Sequence, residues 1–390
     1  MLTYLSASTI YPVSKPPVKN GIIAIDEQGY VRGLYNPQEA QDLNIQVTAH
    51  YQGVLVPGFV NTHCHLELSH LQGKIPQQTG LFRFVSAVMK NREALAEDIV
   101  QAMATADEEM YKNGIVAVGD ISNQTISASI KLQSKIYYHT FVEVLGFNPE
   151  QASAIMSKAR AVKDSFAPLK ASIVPHAPYS VSDPLFVEIA VQGKEEDNLL
   201  SMHNQETPAE DEFFRSKKGA FLELFKMLAV DLGFFQPTGK SSLQSTLPKL
   251  PTTKTLLVHN TQTAQEDVEF AKAKHPDLYW CLCPNANLYI ESTLPDVDML
   301  HTGGVQLTLG TDSLASNQQL SILSEMQTLQ RDKGMQFQIM LQWATLNGAR
   351  FLGIEAIYGS FDIGKRPGVV LLEALEDEVI SPSTRITRLF

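Results

Sequence analysis

The amino-acid sequence predicts an α/β fold: a (β/α)8 TIM barrel with a small composite β-sandwich domain made from both chain ends. Three observations carry this. Eight short β-rich runs alternate with helical patterns across the middle of the chain, the signature of βα units and a parallel sheet. Six of those runs end in His or Asp, and strand C-termini open onto the active-site face of such a barrel. The pieces before and after this region are short, β-like and broken by turns.

The first piece contains Gly21–Asp26 as a strand, Glu27–Tyr30 as a turn and Tyr30–Leu34 as the next strand. From Val54 the pattern changes. The eight runs are Gly58–His65, Ile115–Asp120, Ile136–Leu145, Ala171–His176, Leu199–His203, Thr255–His259, Leu278–Cys283 and Gln306–Asp312. Ala94–Lys112 and Glu325–Lys333 are the clearer helical stretches between them. An open doubly wound sheet is the alternative, but no glycine-rich phosphate loop follows any run. After Phe351 short β-like pieces return, with Gly368–Glu373 as a strand. Each end is too short to build a core alone. The expected division is therefore residues 1–55 with 355–390 as one composite β domain, and 56–354 as the barrel.

Composition narrows the classes. The 390 residues are 44% apolar, enough for one large unit and a small one. No apolar run is long enough for a membrane span, and the start of the chain lacks the pattern of a secretory leader. Three cysteines make no disulfide framework, so a cytoplasmic location is expected. The net charge of −11 argues against a nucleic-acid partner. The expected partner is a small-molecule substrate, with homo-oligomerisation left open.

The polar run ends carry the chemistry. His63 and His65 stand at i and i+2, so both imidazoles share one face of their strand. His176, His203, His259 and Asp312 end four further runs. A lone strand-end histidine is usually structural. Here several converge, and a zinc-like ion wants a few N and O ligands with one position open. Cys281 and Cys283 lack a second pair and read as core. His50, His139, His275 and His301 take no role.

These residues resemble a known family. Val56-Pro57-Gly58-Phe59-Val60-Asn61-Thr62-His63-Cys64-His65 is similar to the opening motif of the amidohydrolase superfamily, in its deaminase and chlorohydrolase branch. His203-Asn204-Gln205-Glu206-Thr207 resembles that branch's His-x-x-Glu-Thr, and Val258-His259-Asn260 its strand-six histidine. Leu309–Asn317, Cys283–Asn287 and Asn347–Arg350 resemble three later motifs in the same order. Two places depart from the pattern. Gly364–Gly368 replaces the usual tail turn, and Asn285-Ala286 stands where many members have Arg-Ser. Run four also lacks the inward lysine of binuclear members, which implies a mononuclear site.

The resemblance implies one divalent metal, zinc ahead of iron, on His63, His65, His203 and Asp312. It implies that Glu206 moves a proton, that His259 orients the water or polarises developing charge, and that Asp312 takes the water's proton. His176 would bind substrate, and Glu67 and His70 could reach it from a loop. The implied reaction is hydrolytic deamination of an amino-substituted nitrogen heterocycle or nucleoside-like molecule. Asn61–Leu71 looks closest to aminodeoxyfutalosine deaminases. A chlorohydrolase or cyclic amide hydrolase on the same site, or a metal-binding scaffold without catalysis, are the competing readings. The long connection Pro208–Thr253, rich in phenylalanine, reads as a packed helix or as a substrate wall.

Overall fold

The computed structural model describes residues 1–196 and 198–390. The chain opens with β1 (Leu2–Ile10), β2 (Val18–Lys19), β3 (Ile22–Asp26), β4 (Val31–Tyr35) and β5 (Ala49–Pro57). These share a seven-stranded sheet with the last two strands, β14 (Val369–Glu373) and β15 (Arg385–Arg388). Its order is β15-β14-β5-β1-β3-β4, with β2 paired on β1. The two chain ends therefore meet, through the antiparallel pair β14–β5. Leu5, Ile10, Ile23, Ile25, Leu55 and Leu371 pool into one apolar cluster, which neither end could assemble alone. All seven strands lie in one sheet.

β5 passes into the next strand through Gly58. A Cβ there would overlap Val116 and lie 2.7 Å from the Pro367 carbonyl oxygen. The Pro-Gly step is thus a close-approach requirement between the terminal sheet and the middle of the chain.

Eight parallel strands follow: β6 (Phe59–Cys64), β7 (Ile115–Ser122), β8 (Tyr137–Val144), β9 (Lys170–Pro175), β10 (Leu200–Asn204), β11 (Thr255–His259), β12 (Leu278–Leu282) and β13 (Gln306–Leu309). Each matches one expected run. Their near-continuous burial is what strands covered on both faces require, and it explains why they read as apolar runs without alternation. Helices such as Ala96–Lys112, Ala152–Asp164, Asp183–Glu195 and Gln265–Lys274 separate them. The strands form two four-stranded sheets, β6-β7-β8-β9 and β10-β11-β12-β13.

Hydrogen bonds cross between the two sheets at both edges. The His203 amide donates to the His176 carbonyl at 2.9 Å. The Thr311 and Asp312 amides both donate to the His63 carbonyl, at 3.0 and 3.1 Å. The last strand ends earlier than its sequence suggests: residues 310–312 had read as strand. The Gly310 amide still donates to the Leu282 carbonyl at 3.0 Å, but Asp312 takes a left-handed backbone with φ 55° and keeps only an isolated bridge to Cys64.

The Asn347-Gly348 pair also has a packing reason. Asn347 Nδ2 donates to the Leu307 carbonyl at 2.8 Å. A Cβ on Gly348 would lie 2.8 Å from Val60 Cγ1. Together they hold the helix Gly348–Leu352 against β6 and β13. No described helix is long and apolar enough to cross a membrane.

Candidate active site

His63 lies within β6 and is fully buried; His65 follows the end of that strand. Cys64 between them joins the main apolar cluster, as a small core residue should. His203 sits in β10, His259 ends β11, His176 follows β9, and Asp312 lies three residues past β13. All these groups come together at one end of the parallel strands.

The centre is tight. His65 Nε2 lies 3.2 Å from His63 Nε2 and 3.3 Å from His203 Nε2. Asp312 Oδ1 is 3.4 Å from His65 Nε2 and 3.6 Å from His63 Nε2. His203 Nδ1 donates to the His176 carbonyl at 2.8 Å. A carbonyl can only accept, so the neutral ring carries its proton on Nδ1 and turns a lone pair on Nε2 toward the centre. His65 Nε2 has one proton at most and cannot serve both neighbours. The three nitrogens therefore cannot all be satisfied by one another, a crowding of donors that a cation relieves.

Electrostatics point the same way. Burial pushes His65 down to about 3 and His203 well below its ordinary value, so both stay neutral. Burial pushes the Asp312 carboxyl up, but the His63 hydrogen bond and the neighbouring imidazoles outweigh it and hold the group low. Ser316 donates to Asp312 Oδ2 at 2.5 Å. Three imidazoles and one carboxylate are the donor set that zinc-like ions favour.

Glu206 and His259 stand beside this centre. Glu206 Oε1 lies 3.7 Å from His259 Nε2. Burial pushes the Glu206 carboxyl up to about 7, against the pull of His259. His259 Nδ1 donates to Asn287 Oδ1 at 2.8 Å, which leaves Nε2 facing Glu206. The His259 backbone is left-handed, φ 76°, a conformation that a side chain this large adopts only when its surroundings force it. Asn260 supplies part of that constraint, donating to the Asn204 carbonyl at 3.0 Å. Glu206 is set by Glu210, whose carboxylate accepts from the Gln205 and Glu206 amides at 3.0 and 3.3 Å.

His176 Nδ1 bonds Ser180 Oγ at 2.7 Å, and that hydroxyl donates onward to the Ala177 carbonyl. The serine's proton is used, so His176 donates from Nδ1 and offers Nε2 as an acceptor.

Glu67 and His70 sit on a 3-10 helix, Leu66–Leu71, and both are buried. The loop expected there is instead held by its polar groups. Glu67 pairs with Arg92 at 2.6 Å and accepts from the Asn123 amide at 3.1 Å. His70 Nε2 donates to the Arg92 carbonyl.

Sequence reasoning gave no role to four further residues. Asp120 forms a fully buried pair with Lys131 at 2.6 Å and accepts from the Leu66 amide, fixing the chain just after His65. Glu143 lies at the end of β8, 3.5 Å from His203 Nδ1. Asn287 and Ser316 lay inside quoted motifs, but nothing in those motifs said which atoms they would hold.

A cavity of about 230 Å³ adjoins the centre. His176 and Thr207 line it, with Leu81, Tyr179, Phe221 and Leu224 among its apolar walls. The 208–253 connection contributes one wall through Phe221 and Leu224. Those residues are anchored in an aromatic cluster in which Phe213 stacks on Phe235 at 4.4 Å.

The comparisons with known proteins place the chain in a family and a fold. A model of the amidohydrolase family matches residues 54–388. An adenosine deaminase of Helicobacter pylori is 27% identical over 352 residues, covering 88% of this chain and 85% of its own. An aminodeoxyfutalosine deaminase of Nitratiruptor sp. is 25% identical over 347 residues, covering 85% and 82%. The crystal structure of Helicobacter pylori aminofutalosine deaminase with methylthio-coformycin superposes with a TM-score of 0.81 at 23% identity, covering 97% of this chain and 93% of the other. With its motifs in order and the family model spanning nearly the whole chain, this protein belongs to the amidohydrolase family.

Proposed function

We propose that the protein is a metal-dependent hydrolytic deaminase that releases ammonia from an amino-substituted nitrogen heterocycle. It is a hydrolase of carbon–nitrogen bonds other than peptide bonds, and the substrate class is an adenine nucleoside or a close analogue. The observation that carries the reading is the convergence of three imidazoles and one carboxylate beside a raised, buried Glu206. The sequence relatives act on adenosine and aminodeoxyfutalosine by name, and aminodeoxyfutalosine is the narrower candidate. The two parallel sheets, joined by hydrogen bonds at both edges, are read as one closed (β/α)8 barrel. Residues 56–354 would form it, and 1–55 with 355–390 the composite β domain.

His63, His65, His203 and Asp312 would hold one divalent ion, zinc before iron. Such an ion supplies Lewis acidity and makes hydroxide available near neutral pH, since it lowers the pKa of water to about 7. Asp312 accepts the proton that leaves the attacking water, while Ser316 keeps its other oxygen occupied. Glu206 carries a proton to the ring nitrogen or the departing amine, because ammonia leaves poorly unless protonated. His259, fixed through Asn287, offers Nε2 to accept a hydrogen bond from the attacking water and so orients it. His176 accepts a hydrogen bond from substrate through Nε2. Glu67, expected to contact substrate, is instead held by Arg92 and the Asn123 amide. One C–N bond breaks, one C–O bond forms, and ammonia departs.

A single ion is favoured over two. Glu143, His176 and His203 also cluster closely enough to suggest a second site. There both Nδ1 atoms already donate, His203 to a carbonyl and His176 to Ser180, so only two donors remain. Assaying adenine nucleosides and chloro-heterocycles side by side tests the reading. Ammonia from the nucleosides supports it; chloride from the chloro-compounds with no ammonia from any amine defeats it.

A further inference from the structure

We infer that Glu143 is a positioning residue: it fixes the His203 imidazole for the metal from behind, at the end of a polar relay Glu67–Arg92–Asn123–Glu143. This rests on the functional reading above for His203 as a ligand. The distances build the relay step by step. Arg92 donates to Glu67 at 2.6 Å and to Asn123 Oδ1 at 3.2 Å. The Asn123 amide donates to Glu67 Oε2 at 3.1 Å. Asn123 Nδ2 then donates to the Glu143 carbonyl at 3.1 Å and to Glu143 Oε2 at 3.2 Å. The Glu143 side chain is therefore held at its backbone and at one oxygen.

Its other oxygen, Oε1, is buried and has no hydrogen-bond partner among the described residues. A buried carboxylate oxygen left unpaired is costly, and the polar atom it faces is His203 Nδ1, 3.5 Å away. That nitrogen already donates to the His176 carbonyl at 2.8 Å. The Nδ1–H thus sits between a carbonyl and a carboxylate. Both favour the tautomer that leaves Nε2 free, and the carboxylate makes Nε2 a stronger donor to a cation. Partners of this kind on the far nitrogen are what tune metal-bound histidines.

Oε1 is too enclosed for substrate to reach it, and Glu143 does not line the cavity. A substrate contact would need an open path.

The test is zinc affinity of metal-stripped protein, read by competition with a chromophoric chelator, alongside the melting temperature of the metal-free form. E143A should bind zinc roughly 10- to 100-fold more weakly than wild type, while its metal-free form melts with the metal-free wild type. E143Q should fall between them. Should E143A not fold, Asn123→Ala, which releases Glu143 Oε2, should weaken zinc in the same direction. Zinc binding unchanged in these variants overturns the proposal, as does a raised KM with unchanged zinc affinity. Zinc affinity is read without substrate, so a wild type that binds zinc but releases no ammonia would sink the functional reading and leave this one standing.

Discussion

Asp312 must both hold a cation and accept a proton, and the two demands can be separated. Asp312→Asn keeps an oxygen donor but cannot take the proton at neutral pH; Asp312→Ala removes both functions. Titrating metal while assaying ammonia should show the Asn variant binding metal with its turnover collapsed, and the Ala variant weakened in both. Full recovery of the Asn variant with excess metal would leave Asp312 as a ligand only. Glu206 makes the complementary case. Glu206→Gln should retain its metal and lose turnover by a factor on the order of 10² or more. Burial holds the Glu206 carboxyl up at about 7, so it keeps its proton below that pH and loses it above. A bound dication draws the value down. The alkaline limb of the rate profile should then fall at or below about pH 7, and the Gln variant should lack it. Metal loss in that variant would place Glu206 among the ligands instead.

At the scale of elements, the strands and the histidines at their ends were legible because each obeys a local rule. His63 and His65 share a strand face through the two-residue repeat, and the parallel strands announce themselves as apolar runs. What was hidden depends on contacts across the fold. Glu143, Asn287 and Ser316 act by where another strand or turn places their partners, and no spacing in the chain encodes that. Asp312 was read as the end of a strand, yet its place is set by its own left-handed backbone and an isolated bridge to Cys64. The segment Gly310–Asp312 is the one most exposed to a small change. A Cβ at Gly310 would lie 2.7 Å from Cys281 Sγ and 2.8 Å from His63 Cβ. Gly310→Ala should therefore cost roughly 1–3 kcal/mol as overpacking, and it should weaken metal binding by displacing His63. Melting and zinc titration of the variant check this; a wild-type melting curve would mean the strands can part without cost.

For the whole molecule, the proposed ligand set spans both four-stranded sheets. His63 and His65 come from β6 on one side, His203 and Asp312 from β10 and the turn after β13 on the other. The composite terminal sheet was legible only as two short β-rich ends that needed each other; its single-sheet topology depends on β14 pairing with β5. An ion held across the sheets stabilises the fold by mass action, about 4 kcal/mol when free metal is roughly 1,000 times Kd. Chelation should lower the melting temperature and raise hydrogen exchange first at the amides that join the sheets, His203, Thr311 and Asp312. Uniform exchange along all eight strands would show that the ion does not bridge them. The central claim is that one ion in this centre makes a deaminase. The most direct measurement adds zinc stepwise to metal-stripped protein and records ammonia release from an adenine nucleoside against bound zinc per chain. The account predicts a linear rise that stops at one ion per chain and vanishes on chelation. Ammonia release from metal-free protein, or a rise that continues to two ions, would contradict it.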